Sequence, residues 1–541
     1  MKKQTKILAL ALVMAILLSL AAACSDNGGG TTPTPAPPGT TTPEQPPAQV
    51  NPPAGGDELP FVELDWYVGF MRQDLPDLDM VVAEAEAYIL EKLNTKVNFI
   101  SMTGPVDWQE RMPVLLSAGT DFGITTIGPY FGVNYTQHAS QGAFLDLEPL
   151  LDQYAPTVKS LFPDYLWDAM RVDGKIYGIP TLKDNCYPLP GIYNYTLTDE
   201  LGMDLSGHTF RNMMQMEPLL MEVKEKRDEL YPDRTHVPLI RWTPGPAFLN
   251  FAFDNFTDGM FGAIGNIAGV NDFAGFDNKT VFNMFETREY LEYAQTMRRL
   301  RENMIIRYDD IDRDWAGYQN EGLFFFWIGW GLFVVPEDMF SANFSVRIME
   351  NQRIWVDTSI MSAAGNAISA RCENPERALM VLELMNSDPY LATMLRFGLE
   401  GEHWEINSAG AMELVNRNAD PAARGFLNWY GATLGNLSIV NAPESHSGPN
   451  NAMMDLMVQA NLDALPGHMG FRVNLHPIET ELAACTAVQG EYMDILTHGR
   501  LPTEQAVIDY VNEFNEKLYA NGLQKIIDEI QSQLNAWLAS R

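Results

Sequence analysis

The sequence predicts an α/β fold with more than one domain, and three observations support this. Strand and helix patterns alternate between residues 59 and 127, and such alternation builds a parallel sheet covered by helices. The roughly 480 residues that follow residue 57 exceed what a single compact core usually holds. Apolar residues then recur on one face from residue 507 to residue 534, which predicts two closing amphipathic helices.

The first 23 residues are predicted to be a lipoprotein signal peptide. Three lysines precede an apolar run over residues 7–23, and small residues lead up to Cys24. The ending Ala21-Ala22-Ala23-Cys24 resembles a bacterial lipobox, in which the cysteine is acylated and becomes the new first residue. Leucine is usual at the position of Ala21, so two alternatives stay open: a membrane-spanning helix, and ordinary cleavage after an alanine.

Residues 24–57 are predicted to form a disordered tether. They are rich in proline, glycine and threonine and have almost no large apolar side chain. Such a segment cannot bury enough surface to offset the entropy of ordering. Folded sequence is expected to begin near Leu59, with Cys24 as the lipid anchor at the other end of the tether.

Charge and cysteine content exclude several classes of function. The net charge is −34, and an acidic chain repels nucleic acid and anionic lipid surfaces. Of the four cysteines, Cys24 is assigned to the lipid, so Cys186, Cys372 and Cys485 allow at most one intramolecular disulfide. No metal-ligand spacing occurs, and we expect neither a cofactor nor a metal.

The first folded region alternates strands and helices in order. Residues 59–70 are a strand, and Asp79 is placed to cap the helix that follows. Residues 95–102 are a second strand. A helix follows in which Asp107 and Glu110 have capping-box spacing, Pro113 is expected to kink the helix or delay its start, and Gly119 ends it. Residues 121–128 are the third strand.

Later elements carry equally local signals. Asp173-Gly174 is a tight turn, and Thr287 is expected to cap a helix over 285–304. Residues 321–335, EGLFFFWIGWGLFVV, read as an aromatic strand or pair of strands. Helices are expected to start at Asn374-Pro375 and at Ser387-Asp388-Pro389, the second ending at Gly398. Asn521-Gly522 separates the two closing helices.

Several stretches together resemble the extracellular solute-binding proteins of carbohydrate ABC transporters, of the large Gram-positive lipoprotein type. They are LLSAGTDFGI, LDLEPLLDQYAPTVKSL with RVDGKIYGIPTLKDN, TVFNMFETREYLEYAQTMRRLRENMI, ISARCENPERALMVLELMNSDPYLATMLRFGLEGEHWE and WYGATLGN with the closing helices. They cover the chain from about residue 60 to its end. Two departures are Pro113 and the aromatic segment 321–335, which replaces a smaller, glycine-rich segment.

The resemblance implies a two-lobed periplasmic-binding-protein-like fold of class II type, with a hinge and a helical C-terminal extension. Lobe 1 would hold residues 58–182 and 358–425, and lobe 2 residues 183–357 and 426–541. An oligosaccharide would bind between the lobes, which close by hinge motion. The implied partners are the permease subunits and their ATPase, reached from the extracellular face of the membrane by a lipid-anchored monomer.

A sugar site needs aromatic platforms for C–H faces and polar side chains for hydroxyls. Candidates of these types at predicted strand ends and loops are Trp66, Tyr67, Asp121, Tyr187, Trp242, Trp327, Trp330, Glu402, His403, Trp404, Trp429 and Asn436. Adjacent strand residues point to opposite faces, so at most one of Trp66 and Tyr67 should face the cleft. For each candidate a structural role in the core, a turn or a cap is the alternative.

Catalysis is not expected. Neither a Gly-x-Ser-x-Gly elbow nor a phosphate-binding Gly-x-x-x-x-Gly-Lys loop occurs in the sequence. The aspartates of RYDDIDRDW, residues 307–315, do not have calcium-loop spacing and read as an acidic surface. Three alternatives stay open: a receptor for another solute such as a peptide, a surface glycoside-processing enzyme, and a sensor subunit that presents ligand to a membrane kinase.

Overall fold

The computed structural model describes the greater part of the chain after residue 58. The described residues are 59–69, 75–101, 105–128, 133–182, 191–210, 213–240, 254–255, 265–266, 279–306, 323, 325–328, 346–351, 358, 364–408, 412–415, 426, 435–440 and 468–541. The predicted signal peptide, the lipid anchor Cys24 and the tether lie outside them.

Strands and helices alternate as predicted in the first folded region and are mixed thereafter. The strands are β1 Val62–Val68, β2 Thr95–Ser101, β3 Ile124–Ile127, β4 Arg171–Val172, β5 Lys175–Ile176, β6 Gly178–Pro180, β7 Gly191–Asn194, β8 Thr209–Phe210, β9 Asp254–Asn255, β10 Gly265–Asn266, β11 Val281–Phe282, β12 Phe326–Ile328, β13 Val346–Asn351, β14 Gly365–Ile368, β15 Trp404–Ile406 and β16 Met412–Leu414.

The helices divide between the two halves of the fold. They are α1 Leu78–Leu93, α2 Pro105–Ala118, α3 Tyr135–Ser140, α4 Glu148–Tyr154, α5 Pro156–Leu161, α6 Asp164–Met170, α7 Tyr195–Glu200, α8 Met213–Leu230, α9 Arg288–Glu302, α10 Pro375–Ser387, α11 Pro389–Phe397, α12 Glu479–Thr497, α13 Glu504–Ala520 and α14 Leu523–Ala539.

Lobe 1 is built on a five-stranded sheet, sheet 1, in the order β2-β1-β3-β14-β6. β1 is parallel to β2 and β3, whereas β14 runs antiparallel to β3 and β6. Both faces are covered. Trp66, Ile124 and Ile368 pack in an apolar cluster on one face, and Ile127 and Ala367 pack in a second cluster with α2 and α3. These two clusters form the lobe 1 core.

Lobe 2 is built on a second sheet, sheet 2, in the order β12-β7-β13-β8. β7 runs antiparallel to both β12 and β13. A single cluster, the lobe 2 core, packs β7 against α8, α9 and the three C-terminal helices, with Tyr193, Phe285, Tyr290 and Phe514 among its members. Helices on sheets in two separately packed halves confirm the predicted α/β class.

Most predicted helix ends are found where the sequence placed them. Thr287 Oγ1 accepts from the Tyr290 N–H at 3.1 Å, and Asp388 Oδ1 accepts from the Tyr390 N–H at 2.9 Å. Gly119 ends α2 with φ +63°, a left-handed conformation that favours glycine. Gly522, with φ +98°, separates α13 from α14.

Two predicted starts were wrong. α1 begins at Leu78, so Asp79 lies in its first turn instead of capping it. α2 begins at Pro105 and holds Pro113 inside, so Asp107 lies within the helix and Pro113 does not delay its start. Proline is favoured at the first helical position, where its missing N–H needs no partner.

The packing of the C-terminal region passes from one lobe to the other. The family resemblance implied that residues 426–541 belong to lobe 2, but Phe426, Leu437 and Met469 pack in the lobe 1 core. Phe471 and Val473 pack in the lobe 2 core. Within the described residues, the change of core therefore falls at residue 470, and the boundary at 425 stays a prediction.

Cys372 and Cys485 are free thiols, and Cys186 lies outside the described residues. Burial raises the pKa of both thiols to about 11, so neither is a ready thiolate near neutral pH. None of the helices in the described ranges has the length and apolar content needed to span a bilayer.

Candidate functional site

Four strand ends meet at one edge of sheet 1. β1 and β3 end there, β6 ends beside them at Pro180, and β14 begins at Gly365, which pairs with both Ile127 and Pro180. Open α/β sheets bind ligands in the crevice outside the carboxyl ends of their strands. We call this the carboxyl edge, and it is where a ligand site is expected.

Two polar side chains that the sequence analysis did not select form hydrogen bonds between strands at the carboxyl edge. The Trp66 indole N–H donates to Asn366 Oδ1 at 3.3 Å, and the Gly69 N–H donates to Thr126 Oγ1 at 3.1 Å. Asn366 and Thr126 lie in strands whose residues are all buried. A polar residue inside a buried strand is a signal that the sequence did offer.

The chain passes between the lobes at the carboxyl edge. β6 in sheet 1 is followed by β7 in sheet 2, and β13 in sheet 2 is followed by β14 in sheet 1. A third stretch lies alongside, because the Leu182 N–H donates to the Gly435 carbonyl at 3.1 Å and the Leu437 N–H donates to the Leu182 carbonyl at 3.0 Å. The edge is therefore also the place where the lobes are joined.

In sheet 2, the start of β7 lies beside the end of β12 and beside an interior position of β13. β7 enters from lobe 1 at Gly191, which pairs with Ile328 of β12 and Met349 of β13. Since β12 runs antiparallel to β7, it ends where β7 begins. Trp327, opposite Ile192, is therefore one residue from the end of β12, at the end of sheet 2 where β7 begins. Its side chain lies outside the described part of the structure.

Trp66 and Tyr67 lie on opposite faces of β1, as the alternation predicts. Trp66 is fully buried and stacks on Phe99 with ring centroids 5.4 Å apart. Tyr67 is half-buried, and burial raises the pKa of its phenol, with Asp65 adding to the rise and Arg111 opposing it. Of the two, Tyr67 has surface to offer a ligand.

The turn that carries Glu402, His403 and Trp404 is held mainly by internal bonds. His403 is buried: its Nδ1 accepts from the Leu399 N–H at 2.9 Å, and its Nε2 lies 3.3 Å from Asp77 Oδ2. Because Nδ1 accepts, the ring proton is on Nε2, facing the carboxylate.

Trp404 is also buried, and its indole N–H donates to the Gly398 carbonyl at 3.0 Å. Glu402 alone of the three is exposed. Asp77 precedes α1, and the far end of α1 meets the start of β1. The 402–404 turn therefore lies on the carboxyl side of sheet 1.

Asn436 is buried at the junction beside Leu182. Its Nδ2 donates to the Asn386 carbonyl at 3.1 Å, and its Oδ1 accepts from the Ser438 N–H at 2.9 Å. In this arrangement Asn436 caps the short 3₁₀ turn Leu437–Ile439. It positions the backbone that pairs with Leu182 at the carboxyl edge.

Asp121 is the one described candidate that the fold places away from the carboxyl edge. It precedes the amino end of β3, and its Oδ1 accepts from the Gly123 N–H at 2.9 Å. Gly123 itself packs beside the Asp65 backbone at the middle of β1. The contact fits the turn role that was its alternative.

The structure thus brings Tyr67, the 402–404 turn and Asn436 to one side of sheet 1. Tyr187, Trp242, Trp330 and Trp429 lie outside the described residues, and their roles stay predictions. Across the described part of the chain, His, Cys, Asp and Glu side chains form no group of three or more that is arranged to hold a metal ion.

The fold is shared with solved sugar-binding proteins. The N-glycan transport solute-binding protein of Streptococcus pneumoniae, in complex with Man1GlcNAc, superposes with a TM-score of 0.70 over 88% of this chain and 100% of that one, at 21% identity. The fold is that of an ABC-transporter solute-binding protein. The resemblance stated from the sequence is confirmed, as is the two-lobed fold class.

Two further solved structures share this solute-binding-protein fold at lower similarity. An alginate-binding protein without calcium gives a TM-score of 0.56 at 16% identity, covering 88% of this chain and 98% of that one. A substrate-binding protein of Streptococcus pneumoniae in complex with kestose also gives 0.56, at 13% identity, covering 88% of this chain and 100% of that one.

Sequence comparison agrees. A Streptococcus pneumoniae protein named "Carbohydrate ABC transporter substrate-binding protein" is 26% identical over 479 residues, covering 86% of this chain and 90% of the relative. The family described as "Domain of unknown function (DUF3502)" matches residues 468–539. That match begins where the packing passes between the lobes and includes all three C-terminal helices.

Proposed function

We propose that this chain is the substrate-binding component of an ABC importer for oligosaccharides. It captures the sugar between its two lobes, closes around it by hinge motion and delivers it to a membrane permease and its ATPase. Ligand binding shifts the lobe equilibrium by the difference in affinity between the two arrangements. The protein acts as a binding protein and not as an enzyme.

One observation carries this proposal. The similarity to the carbohydrate-transport relative extends over 86% of this chain and 90% of that protein, so it includes both lobes and the passages between them. Two of the solved structures that share the fold are complexes with Man5GlcNAc and with kestose. An oligosaccharide is therefore the ligand class to test first.

A thermal-shift screen tests the ligand class. The mature protein is heated with high-mannose fragments, fructans, alginate oligomers and a set of peptides. We expect Tm to rise with one class of oligosaccharide, in proportion to the logarithm of its concentration above Kd. Chromatography of the recovered sugar should show it unchanged. A clear shift with peptides and none with any sugar would overturn the proposal.

We propose that Trp327 and Trp330 supply aromatic platforms for the ligand. Tyr67 and Glu402, which have exposed surface on the carboxyl side of sheet 1, are proposed to supply polar contacts. Trp330→Ala should weaken sugar binding at least tenfold, because an aromatic platform contributes both buried area and a preferred ring contact. Isothermal calorimetry measures the loss. Tyr390→Ala is the matched control, since Tyr390 is an exposed aromatic side chain, 48% accessible, on α11.

We further propose that Cys24 anchors the protein to the extracellular face of the membrane through lipid. The supporting features are the lysine-led apolar run and the small residues before Cys24, together with the need of a binding protein to stay near its transporter. Mass spectrometry of the mature N-terminus should find an acylated cysteine as the first residue. A different first residue would remove the anchor from the proposal.

A further inference from the structure

The family match at the C-terminus begins at residue 468. Its first residues connect the two lobes. We call residues 468–474 the strap. Met469 packs in the lobe 1 core, whereas Phe471 and Val473 pack in the lobe 2 core. In an extended stretch, successive side chains point to opposite sides, so Arg472 points away from the lobe 2 core that holds its two neighbours.

The strap is fastened to lobe 2 through α14. The Asn474 N–H donates to Gln533 Oε1 at 2.8 Å, and Gln533 Nε2 donates back to the Asn474 carbonyl at 3.0 Å. The Phe471 ring meets Trp537 edge to face, with centroids 5.8 Å apart. This part of the strap therefore moves with lobe 2.

Arg472 reaches from the strap to lobe 1. Its Nε and Nη2 both donate to the Ala169 carbonyl, Nε at 3.2 Å, and its Nη1 donates to Thr136 Oγ1 at 2.5 Å. The guanidinium also lies 5.4 Å from the centre of the Tyr135 ring. Ala169 lies in the last turn of α6, where helix carbonyls lack intrahelical partners and carry partial negative charge.

Gly470 brings the strap against the same helix. Its φ is +87°, and a Cβ there would lie 3.1 Å from the Asp168 carbonyl oxygen of α6. Its N–H donates to Thr358 Oγ1 at 3.0 Å, in the passage between β13 and β14. Two of the connections between the lobes thus touch each other at α6. A second cation, Arg541, adds an ion pair to Asp168 at 3.6 Å.

We propose that Arg472 is an inter-lobe latch that sets the balance between lobe arrangements, and through it the ligand affinity, without touching the ligand. The proposal rests on the binding function proposed above. The latch bonds exist only while α6 and the strap keep their present relation, so they stabilise that arrangement against the alternative. An apparent Kd scales inversely with the population of the binding-competent arrangement, and Arg472 is a positioning residue for that population.

The test measures the lobe arrangement directly. Spin labels on unnatural residues at Val114 in α2 and Leu230 in α8, both exposed, report the distance between the lobes with all cysteines left in place. In the ligand-free protein, Arg472→Met should change the distance distribution relative to wild type. Thr136→Val, which removes the lobe 1 hydroxyl alone, should change it in the same direction and by less.

Ligand affinity is the second measurement, and the distance shift fixes the direction in which Kd must change. Arg472→Met should alter Kd by roughly ten- to a hundredfold, the range expected for hydrogen bonds from a charged group. If the variant shifts the ligand-free distances toward the ligand-bound distribution, Kd must fall; if it shifts them away, Kd must rise. Arg500→Met is the matched control, since Arg500 pairs with Asp494 within lobe 2 at 2.7 Å, and it should change neither reading.

Two results would contradict the proposal that Arg472 is an inter-lobe latch. One is a folded Arg472→Met protein, with circular dichroism as in wild type, whose ligand-free distances match wild type. The other is a distance shift and a Kd change of opposite sense. If Arg472→Met does not fold, the Thr136→Val distances decide alone. The ligand-free distances need no sugar, so an error in the proposed ligand class would leave this test intact.

Discussion

His138 is a buried imidazole on α3, with 6% of its surface accessible. Burial lowers its pKa below the usual 6.5, and a hydrogen bond with Gln141 opposes that shift. The folded state therefore binds fewer protons than the unfolded state between the lowered pKa and 6.5. Within that window the free energy of unfolding falls as the pH falls, and above it this group contributes no pH dependence.

We expect His138→Gln to remove this part of the acid sensitivity. The difference in Tm between wild type and variant should be smaller at pH 5 than at pH 7.5, because only the wild type then loses stability by protonating the site. Differential scanning calorimetry at the two pH values measures it. His476→Gln is the control, since His476 has 86% of its side chain exposed. Equal Tm differences at both pH values would count against the assignment.

How well a residue's role could be predicted depended on where its partners lie in the sequence. Trp66 and Tyr67 face opposite ways because strand geometry alone dictates it. His403 offered no such signal, because its side-chain partner is Asp77, 326 positions away. The partner of Trp66, Asn366, is 300 positions away. Long-range partners decide whether a polar side chain is structural or free for a ligand, and local pattern does not contain them.

At the scale of elements, the start of α11 is held by one side chain. Asp388 Oδ1 accepts from the N–H groups of Tyr390 and Leu391, at 2.9 and 3.1 Å. Its Oδ2 accepts from the Tyr88 hydroxyl of α1 at 2.8 Å. Asp388→Ala should lower the free energy of unfolding by about 1–2 kcal/mol, the usual cost of losing an N-cap. Urea titration followed by circular dichroism measures it.

Asn374 provides a matched control in the neighbouring helix. It occupies the same position before α10 and is also followed by proline, but its side chain makes no cap hydrogen bond. Asn374→Ala should therefore change stability by much less than Asp388→Ala. Comparable losses in the two variants would show that the cap bonds of Asp388 are not what stabilises the start of α11.

Elements with strong local signals were predictable, and those without were not. The caps Thr287 and Asp388 and the stop at Gly522 act within a few residues, so the sequence alone locates them. α12 was missed, because ETELAACTAVQGEYMDILT is rich in small residues and has a glycine at 490, leaving no clear apolar stripe. It is helical because Cys485, Tyr492 and Leu496 pack in the lobe 2 core.

At the scale of the whole molecule, the α/β class followed from alternation and length. The path that the chain takes between the two lobes could not be predicted from these features. Phe426 and Met469 belong to the lobe 1 core, although the three C-terminal helices that come after them pack in the lobe 2 core. Both stretches are apolar in the sequence, and apolar character does not say which of two cores a residue joins. Only the resemblance to a known family indicated that the chain crosses more than once.

The charge of the whole molecule leads to a last prediction. There are 70 acidic and 36 basic residues, so even complete ion pairing would leave a large excess of carboxylates that repel one another in the compact state. Raising the salt concentration from about 0.01 to 0.3 M shortens the screening length from about 30 Å to less than 10 Å. Tm should therefore rise by several degrees in a calorimetric scan. Choline chloride should act as well as sodium chloride, because screening does not depend on the identity of the cation. A rise with sodium alone would indicate a bound ion, and a fall would mean that the ion pairs outweigh the repulsion.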